Sequence, residues 1–178
     1  MAKPILIIGA SIPVIFAILI AVPMITNPQI PFSAANADDK ITIELIKYDL
    51  KKISFGVTEK LAPQKSEILT VSDDGVLKYA ISVPDSSPIE KTLTLPKGNV
   101  TKLTALVKET GFMQLPIDNI SADESQIEFT KFSLKVTLNG RTKQIQWPEQ
   151  NATSTFIPPL VSNMGLELEK LIDYAQQN

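Results

Sequence analysis

The chain begins with an unbroken apolar run and then changes to periodic patterns. From Pro4 to Ala37 no residue is charged, and Ile5 to Ile25 is almost continuously apolar, long enough at about 1.5 Å per helical residue to cross a bilayer. After Asp38-Asp39-Lys40, Ile41, Ile43 and Leu45 alternate with polar residues, and Ile53, Phe55 and Val57 do so again. Each alternation predicts a half-buried strand. Glu67 to Val71 and Val76 to Val83 flank Ser72-Asp73-Asp74-Gly75, a hairpin with an Asp-Gly turn in which Leu77, Tyr79, Ile81 and Val83 share one face. Lys91 to Leu95 predicts another short strand.

The spacing then lengthens. Pro96-Lys97-Gly98-Asn99 breaks the strand, and Val100, Leu103, Leu106 and Val107 take up helical spacing, with Asn99 as the expected N-cap and Gly111-Phe112 as the stop. Phe132, Leu134, Val136 and Leu138 alternate toward Asn139-Gly140, and Ile145 and Trp147 return on the far side, the pattern of a second hairpin. Ile127 and Phe129 have the opposite parity to Phe132, which calls either for a bulge near Thr130 and Lys131 or for a strand passing between two packing environments. Pro158-Pro159 opens a last helix whose Leu160, Val161, Met164, Leu168, Leu171, Ile172 and Ala175 form one stripe. The expected fold is α+β, an antiparallel sheet with two helices on one face.

This divides the chain into residues 1–25 as a transmembrane anchor or signal segment, 26–40 as a Pro-rich linker and 41–178 as the working domain. A retained single-pass anchor fits the length of the apolar run. A cleaved signal peptide fits Lys3 and the small-x-small pattern Ala35-Asn36-Ala37, with cleavage after Ala37, although that pattern lies about twelve residues beyond Ile25. With Lys3 the only charge before the run, the positive-inside rule places the C-terminal domain outside the cytoplasm. The domain would be held at the cell membrane through residues 5–25, or secreted if cut at Ala37.

Composition removes several chemistries. Beyond Ala37, 16 Lys and Arg face 19 Asp and Glu, too balanced for electrostatic capture of nucleic acid. There is no Cys and no His, so disulfides, thiolate and imidazole metal sites and Ser-His-Asp or Cys-His catalysis are all excluded. The 7 Gly are unclustered, so no phosphate loop exists, and nothing calls for a cofactor.

The order of Asp74-Gly75 with Tyr79, a strand ending in Leu93, a helix leading to Gly111-Phe112 and Leu115, then a hairpin and a terminal helix resembles a family of small uncharacterised α+β domains found in exported or membrane-anchored prokaryotic proteins. The resemblance covers residues 53–175 and implies a fold and a location, not an activity. Some bacterial members carry a Cys pair near the position of Phe55-Gly56; this chain lacks it, so no redox or metal role transfers.

Among what remains, Asp73-Asp74 reads as a turn, and Asp118, Asp123 and Glu124 bracket a loop without the spacing of a calcium hand. Tyr79 and Trp147 fall at inward strand positions and read as core. Phe156, beside Ile157-Pro158-Pro159, reads as a hydrophobic staple or as an exposed docking anchor. Three Asn-x-Ser/Thr sequons begin at Asn99, Asn119 and Asn151; Asn99 has a capping role to explain it and Asn119 a turn after Pro116, so Asn151 ranks first for glycosylation. The leading expectation is a non-catalytic binding module whose partner is an envelope protein or a glycan. The alternatives are a hydrolase built on carboxylates or a Ser-Lys pair, and a structural surface component.

Overall fold

Ile41, Ile43 and Leu45 point the same way from an extended backbone, and each is almost completely buried, a gain of roughly 1.5–3 kcal/mol per side chain. They begin β1 (Ile41–Phe55), which continues without interruption through Ile53 and Phe55 of the second predicted alternation; Val57, expected to be half-buried in that strand, instead lies in the turn beyond it and is fully exposed. The computed structural model describes residues 35–178, all within the compact unit Phe32–Asn178. The segment Ile5 to Ile25, and with it the expected anchor or signal, lies outside the described residues. Among the described residues no helix is long and apolar enough to cross a membrane.

β1 is followed by β2 (Thr58–Ser72), β3 (Val76–Ser82), β4 (Ile89–Thr94), α1 (Lys97–Glu109), β5 (Glu128–Leu138), β6 (Arg141–Pro148) and α2 (Pro159–Gln177), with short 3₁₀ turns at Phe112–Gln114 and Gln150–Ala152. The strands form one six-stranded antiparallel sheet in the order β4-β3-β2-β1-β5-β6. The fold is α+β, as the alternations predict. Register places Ile43 beside Val71 and Val136, Leu45 beside Leu69 and Leu134, and Leu134 beside Ile145, so one face of the sheet is continuous core. The opposite face carries exposed Thr42, Lys78 and Lys135, so α1 and α2 bury their stripes against the first. In α2, Gly165 lets the helix approach the sheet: a Cβ there would lie 3.2 Å from the Trp147 ring.

The Asp-Gly and Asn-Gly hairpins form as predicted. Asp74 Oδ1 accepts the Val76 N–H at 2.9 Å, and Leu138 pairs with Arg141 across Asn139 (φ 50°) and Gly140 (φ 80°), the two left-handed positions of a type I′ turn. One local expectation is corrected here. Asn99 does not cap α1: the helix starts at Lys97 after Pro96, with no side-chain cap, because the fixed φ of proline already turns the chain into the helix. The C-terminal stop does hold, with Gly111 at φ +66° and Phe112 fully buried.

Of the two accounts of the parity change in β5, the strand passing between two packing environments holds. Pairing of β5 with β1 is continuous from Lys51–Glu128 to Ile41–Leu138, so no bulge lies near Thr130 and Lys131. Phe129 is buried on the other face, beside Leu50. The irregularity is in the β1–β2 pairing instead, where Asp49 opposes Lys65 and Leu50 opposes Pro63, leaving Gln64 as the extra residue.

Candidate functional site

β1 and β2 are longer than their neighbours. β5 stops pairing with β1 at Lys51, and β3 starts pairing with β2 at Ser66, so residues 52–55 and 58–61 continue as a two-stranded ribbon, held at its base by the Lys52 N–H donating to Ile127 O at 2.7 Å. Its turn needs a left-handed residue, supplied by Gly56 (φ +69°), and Val57 at the tip is fully exposed, with Leu61 42% exposed below it.

The loop after α1 closes the other side. Asp118 to Ile120 runs beside β6: the Ile120 N–H donates to Gln146 O at 2.8 Å and the Gln146 N–H to Asp118 O at 2.9 Å. The loop then turns over the sheet, where the Asp123 N–H donates to Ala152 O at 2.9 Å and the Thr153 hydroxyl to Ser121 O at 2.9 Å. Lys52 bridges ribbon and loop, donating to Glu124 O at 2.7 Å and pairing with Glu59 at 3.3 Å. Between ribbon and loop lies a groove of about 770 Å³, lined by Leu50, Leu61, Ile120 and Phe129 and by charged Lys52, Glu59, Asp123, Glu124 and Lys131. It presents apolar surface within a frame of both charge signs.

The candidate residues named from the sequence scatter around this groove. Asn119 lines it, and Asp123 and Glu124 stand on its rim. Asp118 is paired with Lys143 instead, and Asp123 accepts the Ser154 hydroxyl at 3.0 Å; among the described residues no three acidic side chains gather as metal ligands would. Three of the half-buried lysines face a carboxylate: Lys47 with Glu169, Lys108 with Asp39, Lys143 with Asp118. Asn99 and Asn151 are exposed on helical turns. Phe156 is 73% exposed, and it is Ile157 that is buried beside it, so the staple reading of Phe156 gives way to the exposed one.

Ala37 sits in a turn. The Asp39 N–H donates to Asn36 O at 3.1 Å, and the Asp39 carboxylate accepts from Lys108 Nζ and Asn139 Nδ2, both at 2.8 Å, and from the Asn36 N–H at 2.7 Å. The Lys108 ammonium, then Asn139 and Asn36, outweigh burial and hold Asp39 down to about 2. Residues 36–40 are thereby fastened to α1 and to the β5–β6 turn.

A second polar cluster was not among the candidates. Glu67 is 3% exposed on the core face. Its carboxylate accepts the Tyr79 hydroxyl at 2.6 Å and Gln176 Nε2 at 2.9 Å, and it pairs with Lys65 at 3.1 Å. Burial pushes the carboxyl up, but Tyr79 and Lys65 outweigh it and hold it below the usual range. Burial and then the Glu67 charge push Tyr79 up to about 12. Lys91 Nζ caps the end of α2 by donating to Ala175 O and Gln176 O at 3.1 and 3.0 Å. The cluster fastens the C-terminus of α2 to the sheet, and a signal for it exists: Glu67 is in phase with Leu69 and Val71. No protein-family model matches this chain, and none of the curated proteins compared with it matches either.

Proposed function

We propose that the chain is a membrane-tethered extracytoplasmic module that works by binding an envelope protein, through the ribbon and the groove beside it. The observation that carries this reading is the ribbon, whose Val57 and Leu61 are set in water at the end of a hairpin that has outrun its sheet. Among the described residues no third strand pairs with the outer edges of that projection, a liability unless a partner uses them. The groove supports a protein over a glycan, because its aromatic residue, Phe129, is buried and offers no platform for a sugar ring.

The tether is supported by the uncharged run from Ile5 to Ile25 behind Lys3, and the location by the resemblance to small domains of exported proteins. At about 3.3 Å per residue the tip of the ribbon lies about 45 Å along β1 from Ile41, so the ribbon stands at the opposite end of β1 from residues 36–40. Binding is favoured over hydrolysis because the carboxylates Asp118 and Asp123 and the half-buried Lys47, Lys108 and Lys143 are engaged in pairs.

A photo-crosslinking residue at position 61 in intact cells is expected to capture a partner, with capture abolished by Val57→Asp, and one at exposed Tyr174 on α2 is not. Equal adducts from both positions, or adducts that survive Val57→Asp, argue against the reading. Digestion of intact cells by added protease checks the location, and the intact mass of the membrane-extracted protein distinguishes a retained anchor from cleavage after Ala37.

A further inference from the structure

The sequons differ in what their folded geometry leaves accessible. An enzyme that glycosylates Asn-x-Ser/Thr recognises both the Asn amide and the hydroxyl two residues on, so both groups must be presented together. At the Asn151 sequon the hydroxyl is withdrawn: Thr153 is 6% exposed, donates to Ser121 O at 2.9 Å and accepts the Thr155 N–H at 3.1 Å. At the Asn99 sequon the motif is wound into the first turn of α1, with the Thr101 hydroxyl donating to Lys97 O at 3.1 Å.

Asn119 is arranged differently. Its segment is extended, held by the parallel bridge to Gln146. The two-residue period of an extended chain turns Ile120 inward, 5% exposed, and leaves Asn119 and Ser121 both exposed on the same side. The Asn119 Nδ2 donates to Ser121 Oγ at 3.3 Å, so the two recognised groups face each other in solvent. Asn119 also lines both the groove and a shallower cavity over β6, which leaves room for a bulky substituent on either side. We propose that Asn119, ranked below Asn151 by sequence, is the acceptor that remains open on the folded domain, and that it carries an N-linked oligosaccharide at the mouth of the groove. This rests on the extracytoplasmic reading above, because the modification takes place outside the cytoplasm.

The test uses the full chain extracted from its native membrane. Tryptic cleavage after Lys108 and Lys131 isolates Asn119 from the other sequons, and that peptide is expected to carry added mass removed by chemical deglycosylation. Asn119→Gln and Ser121→Ala should abolish the addition, Ser121→Thr should keep it, and Asn151→Gln should leave it unchanged. Ser121→Ala keeps the bond from Thr153, which goes to the backbone carbonyl, so loss of the glycan in that variant is not a folding failure. The same cells are treated with external protease. An unmodified peptide 109–131 in a protease-accessible domain, or a glycan confined to Asn99 or Asn151, overturns this proposal and leaves the location standing. A protease-protected, unmodified domain overturns both.

Discussion

Carrying the inward period of β2 one step further, from Val71 and Leu69 to Glu67, brings a carboxylate onto the buried face, where a charge is tolerated only if it is paired and hydrogen-bonded. Tyr79→Phe deletes the donor at 2.6 Å and is expected to cost about 1.5–3 kcal/mol, the usual worth of a hydrogen bond to a buried charge, read as a lowered urea midpoint. Adding Glu67→Leu should recover part of that loss, since the stranded charge goes with it; two additive losses would show that the Tyr79 hydroxyl acts independently of Glu67, through Gln176. Two titrations bracket the stable range. Asp39 is depressed from 3.8 to about 2, so its contribution is complete well above 3.8 and is lost as pH falls through about 2. Tyr79 is raised from 10.0 to about 12, so its contribution is complete below 10.0 and is lost as pH rises through about 12. Thermal melts across both windows should show the two declines, the acid one flattened by Lys108→Met. Glu67 itself is legible from its phase with Leu69. Its partner Gln176 is not, because it comes from 109 residues away and nothing local links the two.

Strand existence is written in the alternation, whereas strand length depends on which face is covered. Ile41, Ile43 and Leu45 are odd and face the helices, while Leu50 is even and lies against Phe129 on the other face. The apolar parity therefore flips within one continuous β1, and it flips in β5 at the matching position. The 119–126 loop covers the second face only at that end, so one tertiary event explains both flips, at Leu50 and at Phe129. Turn chemistry is more portable, because it is local. Gly75 has φ +85°, and a Cβ there would lie 2.8 Å from the Leu95 carbonyl oxygen, so Gly75→Ala combines left-handed strain with a backbone clash. A loss of roughly 1–3 kcal/mol is expected, measured by chemical denaturation. An unchanged midpoint would mean that the β2–β3 turn and the chain after β4 do not approach as closely as described.

Taken whole, the domain couples a well-packed body to a ribbon that the body does not support. β1 meets strands on both sides from Ile41 to Lys51, whereas beyond Lys52 the two strands of the ribbon pair with no third strand among the described residues. An isolated two-stranded hairpin is marginal in water, so local opening of residues 53–61 should require far less free energy than global unfolding. Hydrogen exchange is expected to grade accordingly, with the amides of Ile43, Leu45 and Leu134 exchanging at the global limit and those of residues 53–61 orders of magnitude faster. The proposed partner should slow the second group without altering the first. Ribbon amides protected as strongly as the core in the free protein would instead mean that the ribbon is already covered by another part of the chain, and the surface proposed for binding would not be free. The sheet order and this contrast in support could not be drawn from the alternations. Both follow from which strands find neighbours, a property of the assembled sheet and of no single segment.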